Sequence, residues 1–228
     1  MTTLTSAPLA PLLDRLFAEA EAPAAPELTA ALAQMPADEL REMMSSTTRY
    51  REFYGMAKDV YLAVSRETAR LLYMLVRSTD ARVIVEFGTS FGISTLHLAA
   101  GLRDNGGGSV ITTEFEPHKA ARARKNFIAG GLADLIELRE GDALETLAVD
   151  LPERIDLVLL DGAKGLYPAV LALLEPHLRP GALLIADDAG FSPAYLERVR
   201  SAADGYTSLP FRDDVELSLR MTRSVPSH

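Results

Sequence analysis

Five stretches of this sequence end in residues capable of polar chemistry. They are Glu86-Phe87-Gly88-Thr89-Ser90-Phe91-Gly92, Glu114-Phe115, Gly141-Asp142-Ala143, Asp161-Gly162-Ala163-Lys164 and Asp187-Asp188. Each follows an apolar run, and each carries at least one carboxylate. Carboxylates accept hydrogen bonds from hydroxyls and amines, bind hard cations and favour a positively charged ligand. The two glycines of the first stretch allow a sharp turn and a close approach of backbone to ligand. Lys164, three residues after Asp161, adds an amine that takes up a proton once its own charge is suppressed.

The elements that must position these residues alternate in type. Val83-Ile84-Val85, Val110–Thr113, Leu135–Leu138, Ile155–Leu160 and Ala182–Ala186 read as strands. Helical patterns follow them over Gly92–Leu102, Pro117–Ile128, a short stretch after Asp142, Tyr167–Leu178 and Pro193–Ala203. Five such alternations predict a parallel sheet with right-handed crossovers and helices on both faces. Thr207–Leu209 and Val215–Met221 read as two closing strands with no helix between them. Upstream, Leu9, Leu12, Leu13 and Leu16 recur at helical spacing, and a second helical stretch runs around Glu27–Met35 until Pro36. Ser65 is the expected N-cap of a helix over Glu67–Val76. Between them, Met43, Met44, Tyr50, Phe53, Tyr54 and Met56 suit helix packing, an acceptor pocket or a dimer contact.

Composition narrows the function classes. The 228 residues include 23 basic and 32 acidic ones, a net charge of −9, which argues against a broad nucleic-acid surface. One basic cluster, Lys119, Arg122, Arg124 and Lys125, reads as a solvated helix face. The absence of cysteine excludes disulfides, thiolate nucleophiles and Cys-ligated zinc. No apolar run approaches the ~20 residues of a membrane span, and Asp14, Arg15 and Glu19 interrupt any signal-peptide core. The expectation is a cytoplasmic enzyme acting on a small molecule, without nucleic-acid or membrane partners.

Ligands of an open parallel sheet bind beyond the carboxyl ends of its strands. Three readings compete for the first loop. A nicotinamide dehydrogenase wants G-x-G-x-x-G, but Ser90 and Ile93 stand at the second and third glycine positions. Gly88-Thr89-Ser90-Phe91-Gly92 fits the G-x-S-x-G elbow of hydrolases, yet it follows the first strand and lacks a suitably placed histidine. The third reading, S-adenosylmethionine, uses every strand end. The glycine loop accepts the amino-acid tail, Glu114 the ribose diol, and Asp142 or Ala143 the adenine amine, in acidic surroundings that suit a sulfonium.

From about Val64 to Arg220 the chain resembles the small metal-dependent O-methyltransferases of the catechol and caffeoyl-CoA type. The resemblance rests on Val85-Glu86-Phe87-Gly88-Thr89-Ser90-Phe91-Gly92-Ile93-Ser94-Thr95-Leu96, on Thr113–Pro117, on Leu159–Tyr167 and on Leu184–Asp188. It implies an α/β fold: a Rossmann-like seven-stranded, mostly parallel sheet with helices on both faces and the last strand antiparallel. Residues 1–62 would be an N-terminal helical extension on the acceptor side or at dimer contacts, and 63–228 the S-adenosylmethionine-binding domain. It implies Glu86, Gly88, Thr89, Ser90, Phe91, Gly92, Ser94, Glu114, Phe115, Asp142, Ala143 and Asp161 as cofactor-binding residues. By the same resemblance Asp161, Asp187 and Asp188 would hold Mg2+ or another divalent cation, and Lys164 with Asp161 would be catalytic, in a homodimer. The chain departs from the family pattern in having Asp188 where Asn is usual. Its small Gly162-Ala163 pair predicts an open acceptor pocket there. A metal-independent O- or N-methyltransferase and a non-catalytic cofactor binder are the alternatives.

Overall fold

A computed structural model describes residues 1–22, 34–211 and 215–221. The sheet strands are β1 (Val83–Phe87), β2 (Ser109–Glu114), β3 (Ile136–Glu140), β4 (Ile155–Leu160), β5 (Leu178–Ala186), β6 (Tyr206–Phe211) and β7 (Val215–Arg220). The helices are α1 (Leu9–Glu21), α2 (Ala37–Ser45), α3 (Tyr50–Met56), α4 (Arg66–Ser78), α5 (Ile93–Asp104), α6 (Pro117–Ala129), α7 (Ala143–Thr146), α8 (Tyr167–Leu174) and α9 (Pro193–Val199). The seven strands lie in the order β3-β2-β1-β4-β5-β7-β6. β1 to β5 are parallel, and β7 runs antiparallel to both its neighbours, as expected.

Unbroken apolar runs in the central strands follow from burial on both faces. Alternate side chains feed two cores. Ile84, Leu157 and Leu159 pack with Leu72 of α4, Leu96 of α5 and Phe127 of α6. Val85, Val158 and Leu160 pack with Leu171 of α8 and Tyr195 of α9. The amphipathic α1 belongs to the first core, burying Leu9, Leu12, Leu13, Leu16 and Phe17. Thr3 ties the chain start to the end of α5, its hydroxyl donating to Asp104 at 2.6 Å. By contrast α2 packs on the turns that follow β4 and β5.

Several boundaries differ from the periodicity. The helix read over Tyr167–Leu178 stops at Leu174, a 3-10 turn takes Glu175–His177, and Leu178 already opens β5. Pro176, which has no N–H to donate, accounts for the early stop. The helix read to Ala203 stops at Val199, and Ser201 caps a separate turn by accepting from the Asp204 amide at 3.3 Å. The third strand is shifted to Ile136–Glu140 because Ala133–Leu135 forms a 3-10 turn. Ser65 caps α4 as expected, accepting from the Thr68 amide at 3.0 Å. The helix read around Glu27–Met35 lies largely outside the described residues. Among those described, no helix is long and apolar enough to cross a membrane.

Candidate active site

β1 leads the chain towards β2 and β3, whereas its other neighbour β4 leads towards β5 and β7. The sheet therefore changes direction between β1 and β4, where crossover helices diverge and leave a crevice at the strand ends. A cavity of about 380 Å³ opens there, within the range of small-molecule sites. Gly88, Ser90, Glu114, Phe115, Asp142, Ala143 and Asp161 all line it, so four separate strand ends converge. Three side chains of α3, Tyr50, Arg51 and Tyr54, roof the space.

The β1–α5 loop is shaped by contacts from beneath. Gly88 has φ +105°, and a Cβ there would lie 2.6 Å from the Asp161 carbonyl oxygen. Gly92, with φ +90°, precedes α5 and abuts the Phe127 ring, 2.4 Å from where a Cβ would be. The Ser90 amide, at φ +48°, donates to Glu114 Oε2 at 2.8 Å, and the Glu116 amide donates to Oε1 at 3.0 Å. The Glu114 carboxylate is thus aimed by two backbone amides. Burial nevertheless pushes its pKa up, against the pull of the Glu116 amide, Lys119 and the Ser90 amide.

Glu86, Thr89, Phe91, Gly92 and Ser94 are placed around the loop rather than on the wall of the main crevice. Glu86 is fully buried and accepts from the hydroxyls of Ser94 (2.6 Å), Thr95 and Thr112 (2.6 Å). The Thr89 hydroxyl lies 2.6 Å from that of Thr112 and donates to the Thr113 carbonyl at 3.0 Å. Phe91 packs against Tyr61 at a tilt of 48°, with ring centroids 4.3 Å apart, and receives the Arg122 guanidinium on its ring.

Glu86 carries a pH prediction. Burial pushes its pKa from 4.5 up to about 7, against the lowering effect of Ser94, Thr112 and Thr95. Between those values the folded protein holds a proton that the unfolded chain releases. Its contribution to stability is therefore complete below pH 4.5 and is lost as pH rises through about 7. That contribution amounts to roughly 3 kcal/mol. Unfolding of Glu86→Gln in urea from pH 4.5 to 7.5 is expected to lack that decline; a decline equal to the wild type's would refute the assignment.

At the β3 end, Asp142 caps α7, accepting from the Leu144 amide at 2.9 Å. It also accepts from Tyr50 at 3.0 Å and from Arg51 at 2.7 Å. Burial raises the Asp142 pKa, but the Leu144 amide, Arg51 and Tyr50 outweigh it and hold the carboxyl below its ordinary value. Tyr54 donates to the Gly162 carbonyl at 3.0 Å, so α3 is fastened to two strand ends. Phe115 meets Tyr50 and Tyr54 edge-to-face, with centroids 6.2 and 6.4 Å away. The small Gly162 does not open the pocket as its size suggests. The Phe87 ring fills that space, 2.5 Å from where a Cβ would be.

Sequence reasoning left Tyr50 and Tyr54 open between helix packing, an acceptor pocket and a dimer contact, and the structure puts both on the crevice wall. It missed Arg51 and Lys119. Lys119 belongs to the cluster read as a solvated face, yet it is 3% exposed and lines the crevice. Two hydroxyls on the wall, Ser90 Oγ and Thr113 Oγ1, are buried without a hydrogen-bond partner. The hydrolase elbow is therefore not assembled at Ser90. His97 instead sits under α1, its ring nitrogen 2.8 Å from the Ile93 carbonyl and its ring against Phe17.

Beyond β4 and β5, Lys164 Nζ lies 3.1 Å from Asp161 Oδ1 and 3.5 Å from Asp188 Oδ2. Its side chain is 4% exposed. Burial works against the Lys164 charge, but Tyr167, Asp161, Tyr54 and Asp188 prevail and hold its proton on. Asp161 is raised by burial against the pull of Lys164, and Asp187 is raised by burial and by Asp161. Asp188 adopts a left-handed backbone conformation, φ 51° and ψ 35°. Among the described residues, no three acidic or histidine side chains form a ready metal site. The Lys164 ammonium already stands between two of the three aspartates.

This geometry has relatives. A family profile described as a methyltransferase domain matches residues 85–189. A Mycolicibacterium smegmatis protein named as an O-methyltransferase is 33% identical over 152 residues, covering 62% of this chain and 71% of that relative. The chain belongs to the O-methyltransferase family. The catechol O-methyltransferase of Mycobacterium tuberculosis is 35% identical over 127 residues, 56% of this chain. The match spans little more than half of that enzyme, 57% of its length. Among solved structures, a Streptomyces achromogenes O-methyltransferase of tomaymycin synthesis, in complex with SAM, is 25% identical. It has a TM-score of 0.64, with 85% of this chain and 95% of that one covered. A Bacillus cereus O-methyltransferase in complex with SAH shares the fold at 24% identity, with a TM-score of 0.67 and 85% and 96% coverage.

Proposed function

We propose that this protein transfers a methyl group from S-adenosylmethionine to a hydroxyl of a small aromatic, catechol-like molecule. The observation that carries the reading is one crevice in which the Gly88–Ser90 loop, an aimed Glu114 carboxylate and Asp142 come together from three strand ends. A ligand rich in hydroxyl and amine groups suits such acceptors. Gly88 and Ser90 hold the amino-acid tail, Glu114 the ribose, and Phe115, Asp142 and Ala143 the adenine. Glu86, Thr89, Phe91, Gly92 and Ser94 keep the loop in shape beneath them. When bound, the cofactor supplies an electrophilic methyl group on its sulfonium.

The chain's own task is to hold the acceptor hydroxyl in line and manage its proton. Lys164 and Asp161 handle that proton, α2 covers the acceptor side, and α3 closes over the adenine end. Lys164 accepts a proton only when the carboxylates around it are otherwise compensated. Asp161, Asp187 and Asp188 supply the oxygen-only donors that suit Mg2+, which would compensate them and lower the hydroxyl pKa. A metal-independent reading has its own support, since the ammonium already lies between Asp161 and Asp188.

Methyl transfer from labelled S-adenosylmethionine to catechols and monophenols, with Mg2+ and with EDTA, tests these readings. Transfer to vicinal diols that EDTA abolishes supports the three-aspartate site. Transfer that survives EDTA removes the metal and leaves Lys164 as the cation of the cluster. No transfer to any phenol, despite cofactor binding, refutes the proposed acceptor class.

A further inference from the structure

We propose that Lys119 is a second ligand-holding side chain of the crevice, gripping the cofactor's ribose from the side opposite Glu114. The inference rests on the proposed use of S-adenosylmethionine. Lys119 lies in the first turn of α6, three residues after the N-cap Glu116.

Lysines are seldom fully buried unless paired, yet Lys119 is only 3% exposed. Among the described residues its ammonium has no carboxylate within 4.0 Å, and it stands over the Phe91 ring, 5.5 Å from the centroid. It nevertheless lines the same cavity as Glu114 and Ser90. Burial draws its pKa down, and the Glu114 charge is the chief influence opposing that.

A donor-only ammonium and an acceptor-only carboxylate therefore face one cavity without touching. A group that fits between them must accept from the first and donate to the second. A hydroxyl does both, and a vicinal diol offers two. Glu114 is aimed by the Ser90 and Glu116 amides, whose N–H groups leave its remaining lone pairs for such a ligand. Lys119 then fixes the oxygen of one hydroxyl while Glu114 accepts its proton in a hydrogen bond.

The test is calorimetric binding of S-adenosylhomocysteine and its 2′-deoxy and 3′-deoxy analogues to wild type and Lys119→Met, which keeps the apolar stem. The variant is expected to bind S-adenosylhomocysteine about ten- to a hundredfold more weakly, as for the loss of a charged hydrogen bond. One deoxy analogue is expected to bind wild type and variant equally, because the hydroxyl that Lys119 holds is already gone. Equal weakening for all three ligands, or none, overturns the proposal and leaves Lys119 as support for the Phe91 ring. Wild type that binds none of them overturns the cofactor reading as well. Should Lys119→Met melt well below wild type, Lys119→Gln is taken through the same series, with the same outcomes deciding.

Discussion

Lys164→Met is expected to lower kcat by about 10²- to 10⁴-fold, the range for losing a positioned proton-transfer group. S-adenosylhomocysteine affinity is expected to change far less than kcat, because Lys164 does not itself line the cofactor crevice and reaches it only through Asp161. The expectation follows from placement. Lys164 is buried against Asp161 and Asp188, with Tyr167 beneath it at 5.5 Å from nitrogen to ring centroid. Methionine matches the length of the stem but removes the charge, so Asp161 and Asp188 lose their compensating cation. Steady-state kinetics and calorimetry on one preparation check both parts. Turnover within tenfold of wild type would take Lys164 out of the chemistry. Asp161 is a less clean target, because it lines the crevice itself and its carbonyl contacts the first loop.

Gly88→Ala is expected to destabilise the fold by about 3 kcal/mol, from strain at a left-handed position and from a clash with rigid backbone. The φ of +105° is one that side chains rarely adopt, and the added methyl would lie 2.6 Å from the Asp161 carbonyl oxygen. Neither strand end yields easily, since the Asp161 amide donates to the Phe87 carbonyl at 2.8 Å. The melting midpoint should fall by about 6–12 °C for a chain of this size. S-adenosylhomocysteine affinity should fall by at least about tenfold, because the loop must move to admit the methyl. Gly55→Ala is the control: nothing lies within 4 Å of a Cβ there, and alanine favours the helix. Wild-type melting and affinity in Gly88→Ala would show that the loop is not held as tightly as its contacts imply.

Much of this architecture is legible in the sequence. β4 reads at its observed bounds, Ile155–Leu160, because an apolar run broken only by Asp156 near its start and flanked by polar residues suits a sheet covered on both faces. The strand-end segments Gly88–Gly92, Glu114, Asp142 and Asp161 are legible too, since a parallel sheet delivers every such end to one side. Boundaries are less legible where a breaker competes with periodicity, as at Pro176. Glu86 illustrates a different limit. Its position next to the glycine loop suggests ligand contact, while three hydroxyls, one of them on β2, draw its carboxylate under the loop.

By itself the sequence determined the alternation of strands and helices, the sheet class and the set of carboxylates gathered at its edge. These depend on local periodicity and on a topological rule, both readable along the chain. Only the tertiary structure decided which groups face the crevice and which charges are compensated. Lys119 and Arg124 lie on one helix, yet the first is buried in the crevice wall and the second is exposed beside Glu140. Lys164 keeps its proton because Tyr167, Asp161 and Asp188 surround it in the interior. Burial and charge compensation arise between residues distant in the chain, so spacing alone does not encode them.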